Sequence, residues 1–125
     1  FYKNIDEMVL MVQKEVAIKF DYQIISMNKY KFYSKLFSNY QRCFEVSSKV
    51  FKPKPKVQST VVKFKINKNN INIIKAKEFS DKIFKNKRKK ISNKLKINKL
   101  AKNQLMEKRI DKLSIEELLY IYNLF

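Results

Sequence analysis

The sequence predicts an α/β fold in two parts, in which the strands of a mixed sheet are followed by a small all-helical subdomain. Residues 60–66, TVVKFKI, alternate apolar and basic side chains with the period of two that is typical of a half-buried strand. From Ala76 onward the apolar residues recur at helical spacing instead. We therefore predict an α/β part at residues 1–66, a linker at 67–75 and a helical subdomain at 76–125.

The α/β part begins with a predicted strand and helix. The continuous apolar run MVLMV at 8–12 is typical of a strand that is buried on both faces, as in a parallel sheet. The next segment, QKEVAIKF at 13–20, places Val16 and Phe20 four residues apart and predicts a short helix. The aromatic-rich stretch 27–46 alternates in part and predicts a strand within it. Two or three strands and one helix would bury few of these side chains on their own. We therefore expect this part to be incomplete.

The remaining elements have clear periodicity. In the strand at 60–66 the apolar side chains share one face and the lysines share the other. An amphipathic helix starts with Phe79, Ile83 and Phe84. Ser114 and Glu117 have the spacing of a capping box at the start of the closing helix. The residues assigned to the two faces of the strand are Val62, Phe64 and Ile66 against Lys63 and Lys65.

Other side chains of the first part are expected to be structural. Cys43 is the single cysteine and is predicted to be a small core residue. The acidic residues Asp6, Glu7 and Glu15 are expected to form local ion pairs, because no partner for acid–base chemistry surrounds them. Five aromatic residues are predicted to lie in the sheet core first and to stack on RNA second: Tyr30, Phe32, Tyr33, Phe37 and Tyr40.

The charge favours a polyanionic partner. The chain has 29 Lys and Arg residues against 11 Asp and Glu residues, a formal net charge of +18. Nucleic acid is the first interpretation and an anionic membrane surface the second. The run at 8–12 is too short to span a bilayer. With one cysteine and no histidine, the sequence offers no internal disulfide and no Cys/His zinc site, and it fits a reducing, cytoplasmic compartment.

The strongest basic feature is the stretch 82–102, KIFKNKRKKISNKLKINKLAK, which has ten Lys and Arg residues and no acid. If it were helical, Phe84, Arg88, Ile91 and Leu95 would lie along one stripe. We interpret it as a surface for RNA phosphates. The alternative is a solvated face with extra lysines from an AT-rich genome, since Lys, Asn and Ile abound and glycine is absent. The predicted RNA-binding residues here are Lys85, Lys87, Arg88, Lys89, Lys90 and Lys94.

The two prolines of the chain lie together in FKPKPKVQS at 51–59. Proline fixes φ and makes its predecessor extended, so this segment is predicted to be stiff and stretched. Phe51 would then be held where its ring could stack on a nucleobase while nearby cations contact phosphates. Alternatively, the prolines lead into an edge strand and Phe51 lies in the core. The cations of this segment that we predict to bind RNA are Lys52, Lys54 and Lys56.

This segment resembles the F-x-P-x-P-x-V-x-S motif of the rRNA adenine N6-dimethyltransferases, which include the KsgA/RsmA family and its Erm relatives. The fixed positions are Phe51, Pro53, Pro55, Val57 and Ser59. Four further stretches resemble family motifs in the same order. They are MVLMVQKEVA (8–17) for M-L-Q-K-E-V-A, MNKY (27–30) where the family usually has Y-G-R-L, FKNKRKKISNKL (84–95) for F-x-x-R-R-K-x-x-x-N-x-L, and RIDKLSIEELLYI (109–121) for the closing R-x-E-x-L-s-x-e-e helix.

The resemblance implies the last strands of a Rossmann-like methyltransferase sheet followed by a helical rRNA-binding subdomain. The implied activity is the dimethylation of N6 on two adjacent adenosines near the 3′ end of small-subunit (16S) rRNA, with S-adenosylmethionine as the cofactor. The implied partner is that rRNA or a pre-30S particle, bound by a monomer without a membrane. In such enzymes the aromatic residue that matches Phe51 packs on the flipped target adenine.

The sequence departs from the family pattern at several points. Asn28 replaces a glycine and is expected to take the positive φ that asparagine tolerates, and Lys29 replaces an arginine. No Gly-rich cofactor loop is possible without glycine, and the family's N-[LI]-P-Y motif is missing. We therefore expect a C-terminal half, with the cofactor site upstream of Phe1 and no cofactor-binding residue in this chain.

Two other functions stay open. The chain could be a non-catalytic RNA-binding module or a ribosome-assembly factor that keeps only the RNA surface. It could also come from an Erm-type methyltransferase of large-subunit rRNA. The stretch KRKKISNKL at 87–95 is closer to the KsgA type and favours the small-subunit enzyme over the Erm type.

Overall fold

The computed structural model describes residues 4–23, 26–100 and 102–125, so the first three residues of the predicted α/β part lie outside the described residues. Four α-helices and three strands are present in this described part, joined in places by short 3₁₀ turns. This α/β content confirms the predicted fold class. In chain order the elements are β1 (Glu7–Gln13), α1 (Lys14–Phe20), α2 (Lys29–Phe37), β2 (Ser38–Val46), β3 (Ser59–Ile66), α3 (Ile73–Phe84) and α4 (Ile115–Leu124).

The described residues form two compact units. The first contains residues 4–23 and 33–69, and the second contains 26–32 with the rest of the chain from residue 70. Residues 26–32 lie within the predicted α/β part, but they cluster with the helical unit. Helix α2 therefore contributes its first four residues to the second unit and its remaining residues to the first.

The first unit is built on an antiparallel sheet of order β1-β3-β2. The central strand β3 confirms the predicted alternation, since Val62 and Phe64 are buried, Ile66 packs against them and Lys65 is exposed. Both neighbours pair with the same residues of this strand; Met8 of β1 and Tyr40 of β2 lie opposite Phe64. The apolar face of β3 is thus the core of the unit.

Helix α1 covers this apolar face, as its predicted spacing required. Ala17 is 1% exposed and belongs to the same cluster as Val62 and Phe64. The Phe20 ring lies edge-on to the Phe64 ring, with centroids 5.2 Å apart. The Tyr40 hydroxyl donates a hydrogen bond of 2.9 Å to the Ala17 carbonyl, which joins the sheet to the helix. Aromatic contacts and one polar contact therefore hold the small core together.

The prediction that strand 8–12 is buried on both faces of a parallel sheet is wrong for this unit. Val9, Leu10 and Met11 are 57%, 44% and 54% exposed. The strand pairs with β3 on one side only, in antiparallel register. A continuous apolar run does not show how many neighbours a strand has, and no second layer covers these side chains among the described residues of the unit.

A strand within 27–46 is confirmed as β2, but helix α2 precedes it. Asn28 begins this helix, because its side-chain oxygen accepts a 3.0 Å hydrogen bond from the Lys31 N–H. Asn28 is therefore an N-cap and does not have the expected positive φ; of the non-glycine residues described, only Asn86 does. The short amide side chain that allows asparagine to take a positive φ is used here to accept a hydrogen bond from a helix N–H.

The predicted burial of Cys43 is also wrong, because its side chain is exposed. The pairing of β2 with β3 shifts between Arg42 and Phe44, so Cys43 occupies a β-bulge. A bulge residue has no partner in the ladder, and the shift changes which side chains face the core. Two of the three acidic residues form the expected ion pairs: Asp6 pairs with Lys68 at 2.9 Å and Glu7 lies 3.9 Å from Lys63, whereas Glu15 has no such pair among the described residues.

The second unit has an aromatic core. Phe32 is fully buried here, not in the sheet where it was predicted, and its ring centroid lies 5.3 Å from Phe79 and 5.4 Å from Tyr122. The ring centroid of Phe84 lies 6.1 Å from that of Phe32. Tyr30, two residues before Phe32, is exposed and lies outside both cores. The aliphatic residues buried in this unit include Ala76, Ile83, Ile91, Leu95, Leu100, Ile110, Leu118 and Ile121.

Helix α3 begins at Ile73, three residues before the predicted start of helical character at Ala76. The cause is Asn72, whose side-chain oxygen accepts a 3.0 Å hydrogen bond from the Lys75 N–H. The last residues of the predicted linker therefore form the first turn of the helix. No helix in the described ranges is long and apolar enough to cross a membrane.

The predicted capping box of α4 is present. The Ser114 Oγ accepts a 3.1 Å hydrogen bond from the Glu117 N–H, and the Glu117 carboxylate accepts one of 3.0 Å from the Ser114 N–H. A hydrogen bond from Lys108 is the largest reason that the pKa of Glu117 is lowered, and the Ser114 bond adds to it. The box thus fixes the start of a helix whose Leu118 and Ile121 are fully buried.

Removing the cap should destabilise the chain. We expect Ser114→Ala to lower the free energy of unfolding by about 1 kcal/mol, because one helix N–H loses its partner. Thermal unfolding followed by circular dichroism measures the change. Ser92→Ala, at an exposed serine of the same unit, is the control and should leave stability within about 0.5 kcal/mol. Equal effects of the two variants would show that the capping box contributes nothing specific.

Candidate nucleic-acid interface

The basic stretch 82–102 does not form one continuous helix, so its apolar side chains do not lie along the single stripe that such a helix would produce. Helix α3 ends at Phe84, and residues 85–90, the basic turn, follow. Asn86 has φ of 54°, and its carbonyl accepts a 3.0 Å hydrogen bond from the Lys89 N–H. Asparagine is one of the few residues other than glycine that tolerate this conformation.

Most of the charge on this turn is uncompensated. Its cationic residues are all exposed. Lys90 forms a 2.6 Å ion pair with Glu107. The other four have no carboxylate within 4.0 Å in the part of the chain that the structure describes. A cluster of unpaired cations on a short turn creates a local positive potential that attracts polyanions. These four residues are Lys85, Lys87, Arg88 and Lys89.

A cavity of about 240 Å³ lies beside the basic turn, and we call it the phosphate pocket. No acidic residue lines it, and of its four lysines only Lys82 has a carboxylate within 4.0 Å among the described residues, that of Glu78 at 4.0 Å. Ammonium and amide N–H groups are the donors that proteins use to bind phosphate oxygens. The pocket can therefore hold an anionic oxygen group. Its lining residues are Lys82, Lys85, Asn86, Lys89, Asn93 and Lys94.

Lys94 has a structural part in this pocket. Its ammonium donates a 2.6 Å hydrogen bond to the carbonyl of Ile83 in the last turn of α3. Burial is the main cause that lowers the pKa of Lys94; Asp111 opposes this shift and Lys89 adds to it. A cation at a helix C-terminus interacts favourably with the free carbonyls there. Lys94 thus holds the pocket wall to the helix, and its contact with RNA stays a prediction.

Sequence reasoning missed three residues of the phosphate pocket. Lys82 lies on α3 within the basic stretch, and Asn86 and Asn93 separate its charged residues. An asparagine inside a run of like charges was the available signal, since it is a residue that ends helices and forms turns. The predicted residues Lys87, Arg88 and Lys90 do not line this pocket, although Lys87 lines a second cavity.

The segment 51–59 lies in the first unit, and its backbone is not stretched along its whole length as predicted. The chain bends at residues 51–53 and 56–57, and the Lys52–Pro53 peptide bond is cis. Phe51 follows a 3₁₀ turn, and its N–H donates a 3.4 Å hydrogen bond to the Ser48 carbonyl. The three predicted RNA-binding lysines of this segment are exposed: Lys52, Lys54 and Lys56.

The alternative interpretation of Phe51 as a core residue next to an edge strand disagrees with the structure. The strand that follows, β3, is central in the sheet. Phe51 is partly exposed and does not belong to the buried cluster around Phe64. Its contact with a base stays a prediction.

No group of three metal-ligating side chains occurs within residues 4–23, 26–100 and 102–125. The groups that line the cavity and surface described above are cations, amides and aromatic rings, a set that is suited to binding nucleic acid.

The fold is similar to those of two solved methyltransferase structures. The chain resembles the crystal structure of 23S rRNA methyltransferase ErmE with a TM-score of 0.72 at 14% identity, covering 96% of this chain and 55% of that one. It also resembles a dimethyladenosine transferase from Plasmodium falciparum, with a TM-score of 0.70 at 21% identity, covering 95% of this chain and 57% of that one. These similarities confirm the predicted methyltransferase sheet and helical subdomain.

The sequence comparison then gives the family. Residues 2–125 match the ribosomal RNA adenine dimethylase family, and the chain belongs to it. Among its relatives is Ribosomal RNA small subunit methyltransferase A of Hydrogenobaculum sp. (strain Y04AAS1), 32% identical over 97% of this chain and 48% of the relative. The protein of that name from Thermotoga neapolitana is 33% identical over 94% of the chain and 46% of the relative. The chain spans about half the length of these curated relatives.

Proposed function

We propose that this chain is the rRNA-binding part of a small-subunit rRNA adenine dimethyltransferase, which adds two methyl groups to N6 of two adjacent adenosines near the 3′ end of 16S rRNA. The observation that supports this most is the basic turn of a member of the adenine dimethylase family, which has four unpaired cations, two of which, Lys85 and Lys89, line the phosphate pocket. Its partner would be the small-subunit rRNA or a pre-30S particle, bound by a cytoplasmic monomer.

In this proposal the basic turn and its pocket bind rRNA phosphates and orient the molecule. Cationic contacts of this kind supply affinity and position without reading sequence. Lys52, Lys54 and Lys56 would serve the same purpose in the first unit, next to Phe51. Each group of cations is exposed within its own unit, as binding to a large RNA requires.

The proposed role of Phe51 is to stack on the target adenine after it leaves its helix. A base must be unstacked before an enzyme can reach its N6 atom, and an aromatic platform holds it without hydrogen bonds. Fixing the base reduces the entropy lost on reaching the transition state. S-adenosylmethionine supplies the methyl group when it is bound. The chain has no glycine for a Gly-rich cofactor loop, so we assign the cofactor site to residues outside this sequence.

The alternative of a large-subunit enzyme is supported by the similarity to ErmE, but at 14% identity that similarity concerns the fold alone. The alternative of a non-catalytic RNA-binding module is supported by the same basic turn. Both alternatives predict RNA binding, so a test of function must detect the methylated product and the RNA that carries it.

A chimera provides this test. The chain is joined to the portion of the Thermotoga neapolitana relative that it does not match. The chimera is incubated with S-adenosylmethionine and, in separate reactions, with 30S particles that lack the modification and with unmodified 23S rRNA. We expect N6,N6-dimethyladenosine at two adjacent positions in 16S rRNA, detected by mass spectrometry. The 125-residue chain alone is expected to show no saturable cofactor binding by calorimetry and no product.

Other outcomes distinguish the alternatives. Methylation of 23S rRNA and not of 16S rRNA would assign the chain to the Erm type. A folded chimera that binds both cofactor and rRNA without forming product would favour the non-catalytic module. A micromolar cofactor site in the 125-residue chain would contradict the assignment of that site to other residues.

A further inference from the structure

A second cavity, of about 420 Å³, lies in the helical unit beside the basic turn, and we call it the Tyr30 cleft. It shares Lys85 with the phosphate pocket, so the two cavities are neighbours. Its volume falls in the range of roughly 300–1,000 Å³ that is typical of sites for small ligands. The residues that line it are Asn28, Lys29, Tyr30, Ser80, Asp81, Phe84, Lys85 and Lys87.

The cleft combines positive charge with aromatic surface. Three lysines line it, and its one carboxylate, that of Asp81, forms a 2.6 Å ion pair with Lys77. Tyr30 is 41% exposed, and the Lys29 ammonium lies 5.6 Å from the centroid of its ring. A tyrosine and cations at one site are the combination that binds a base through stacking and its phosphates through charge.

The walls of the cleft are held in place by the fold. On one side, the Asn28 cap fixes the first turn of α2, which carries Tyr30. On the other side, Phe84 is partly buried and packs against the Phe32 ring at 6.1 Å. A platform that is already ordered loses little conformational entropy when a ligand binds.

We propose that the Tyr30 cleft binds one unstacked base of single-stranded RNA, while the phosphate next to that base lies in the phosphate pocket and contacts Lys85. This inference rests on the proposed RNA-binding function and adds a site for a nucleotide other than the methylated one. A duplex cannot present a base face to the ring, so the cleft selects single-stranded RNA or an extruded nucleotide. Tyr30 stands where the family motif usually has leucine, so the platform is a feature of this chain.

The test compares two single-stranded RNA octamers of equal charge, one with all its bases and one with abasic nucleotides. We expect the chain to bind the base-containing octamer about 5- to 150-fold more tightly, which is the range for stacking of one base on an aromatic ring. With Phe51 replaced by alanine in every chain compared, so that its proposed stacking adds nothing, Tyr30→Leu should remove this difference and leave the affinity for the abasic octamer unchanged. Tyr30→Phe keeps the ring and should keep the difference.

Tyr120→Leu is the matched control, because Tyr120 is a similarly exposed tyrosine on α4 of the same unit and does not line the cleft. This variant should bind both octamers as the parent chain does. The inference is overturned if the parent binds both octamers equally, or if Tyr120→Leu acts as Tyr30→Leu does. Failure of the RNA binding on which this inference rests looks different: neither octamer would then show affinity that weakens with salt. Failure of the proposed methylation is detected separately, by the chimera.

Discussion

Replacing Lys85, Lys87, Arg88 and Lys89 by glutamine should weaken binding of the chain to structured 16S rRNA on the order of a hundred- to a thousandfold near 0.15 M salt. Each phosphate contact releases about 0.9 counterions, so four lost contacts should also reduce the slope of log affinity against log salt by about four. The parent chain should lose affinity by orders of magnitude between roughly 50 and 200 mM salt. Filter binding of an rRNA hairpin across that range measures both effects.

A matched variant separates a defined site from general charge. Replacing Lys96, Lys99, Lys102 and Lys112 by glutamine removes the same charge from exposed positions of the same unit that do not line the phosphate pocket. We expect a much smaller loss of affinity and of salt slope. Equal losses in the two variants would support the alternative of a solvated, lysine-rich face. An affinity of the parent that does not change with salt would contradict phosphate binding altogether.

The second large effect concerns Phe51. In the chimeric enzyme, Phe51→Ala should lower the rate of methyl transfer about ten- to a hundredfold, because the target base loses about 1–3 kcal/mol of stacking. Phe51→Tyr keeps the aromatic face and should keep most of the activity. Single-turnover methylation of 30S particles measures the rate.

The melting temperature shows whether the ring acts on the base or on the fold. Truncating a phenylalanine in a core costs about 3–5 kcal/mol, so a large fall in the melting temperature of Phe51→Ala would return Phe51 to a packing role. A near-normal melting temperature together with slow methylation would support the base platform. Phe44→Ala, at a 60% exposed position of β2, serves as the control for removing an exposed ring.

Much of the local structure could be predicted from the sequence, because neighbouring residues determine it. The alternation of β3 identified Val62 and Phe64 as core, and the spacing of Ser114 and Glu117 identified the start of α4. The basic character of residues 85–90 is also a property of the sequence, and so is the absence of glycine. The motif at 51–59 shows the resemblance to the family through its residues alone.

Only the tertiary structure decided which partners these segments have. The apolar run of β1 became an exposed edge, because burial of a strand depends on the elements beside it. Phe32 packs with Phe79 in the helical unit and Tyr30 lines a cleft. The two residues lie two positions apart on α2, about half a helical turn, so their side chains point in nearly opposite directions. Asn86 has a positive φ, so the residues after α3 form a turn and not the predicted helical stripe. Two adjacent cavities lie beside this turn. Such placements result from contacts between residues distant in sequence, which local periodicity does not contain.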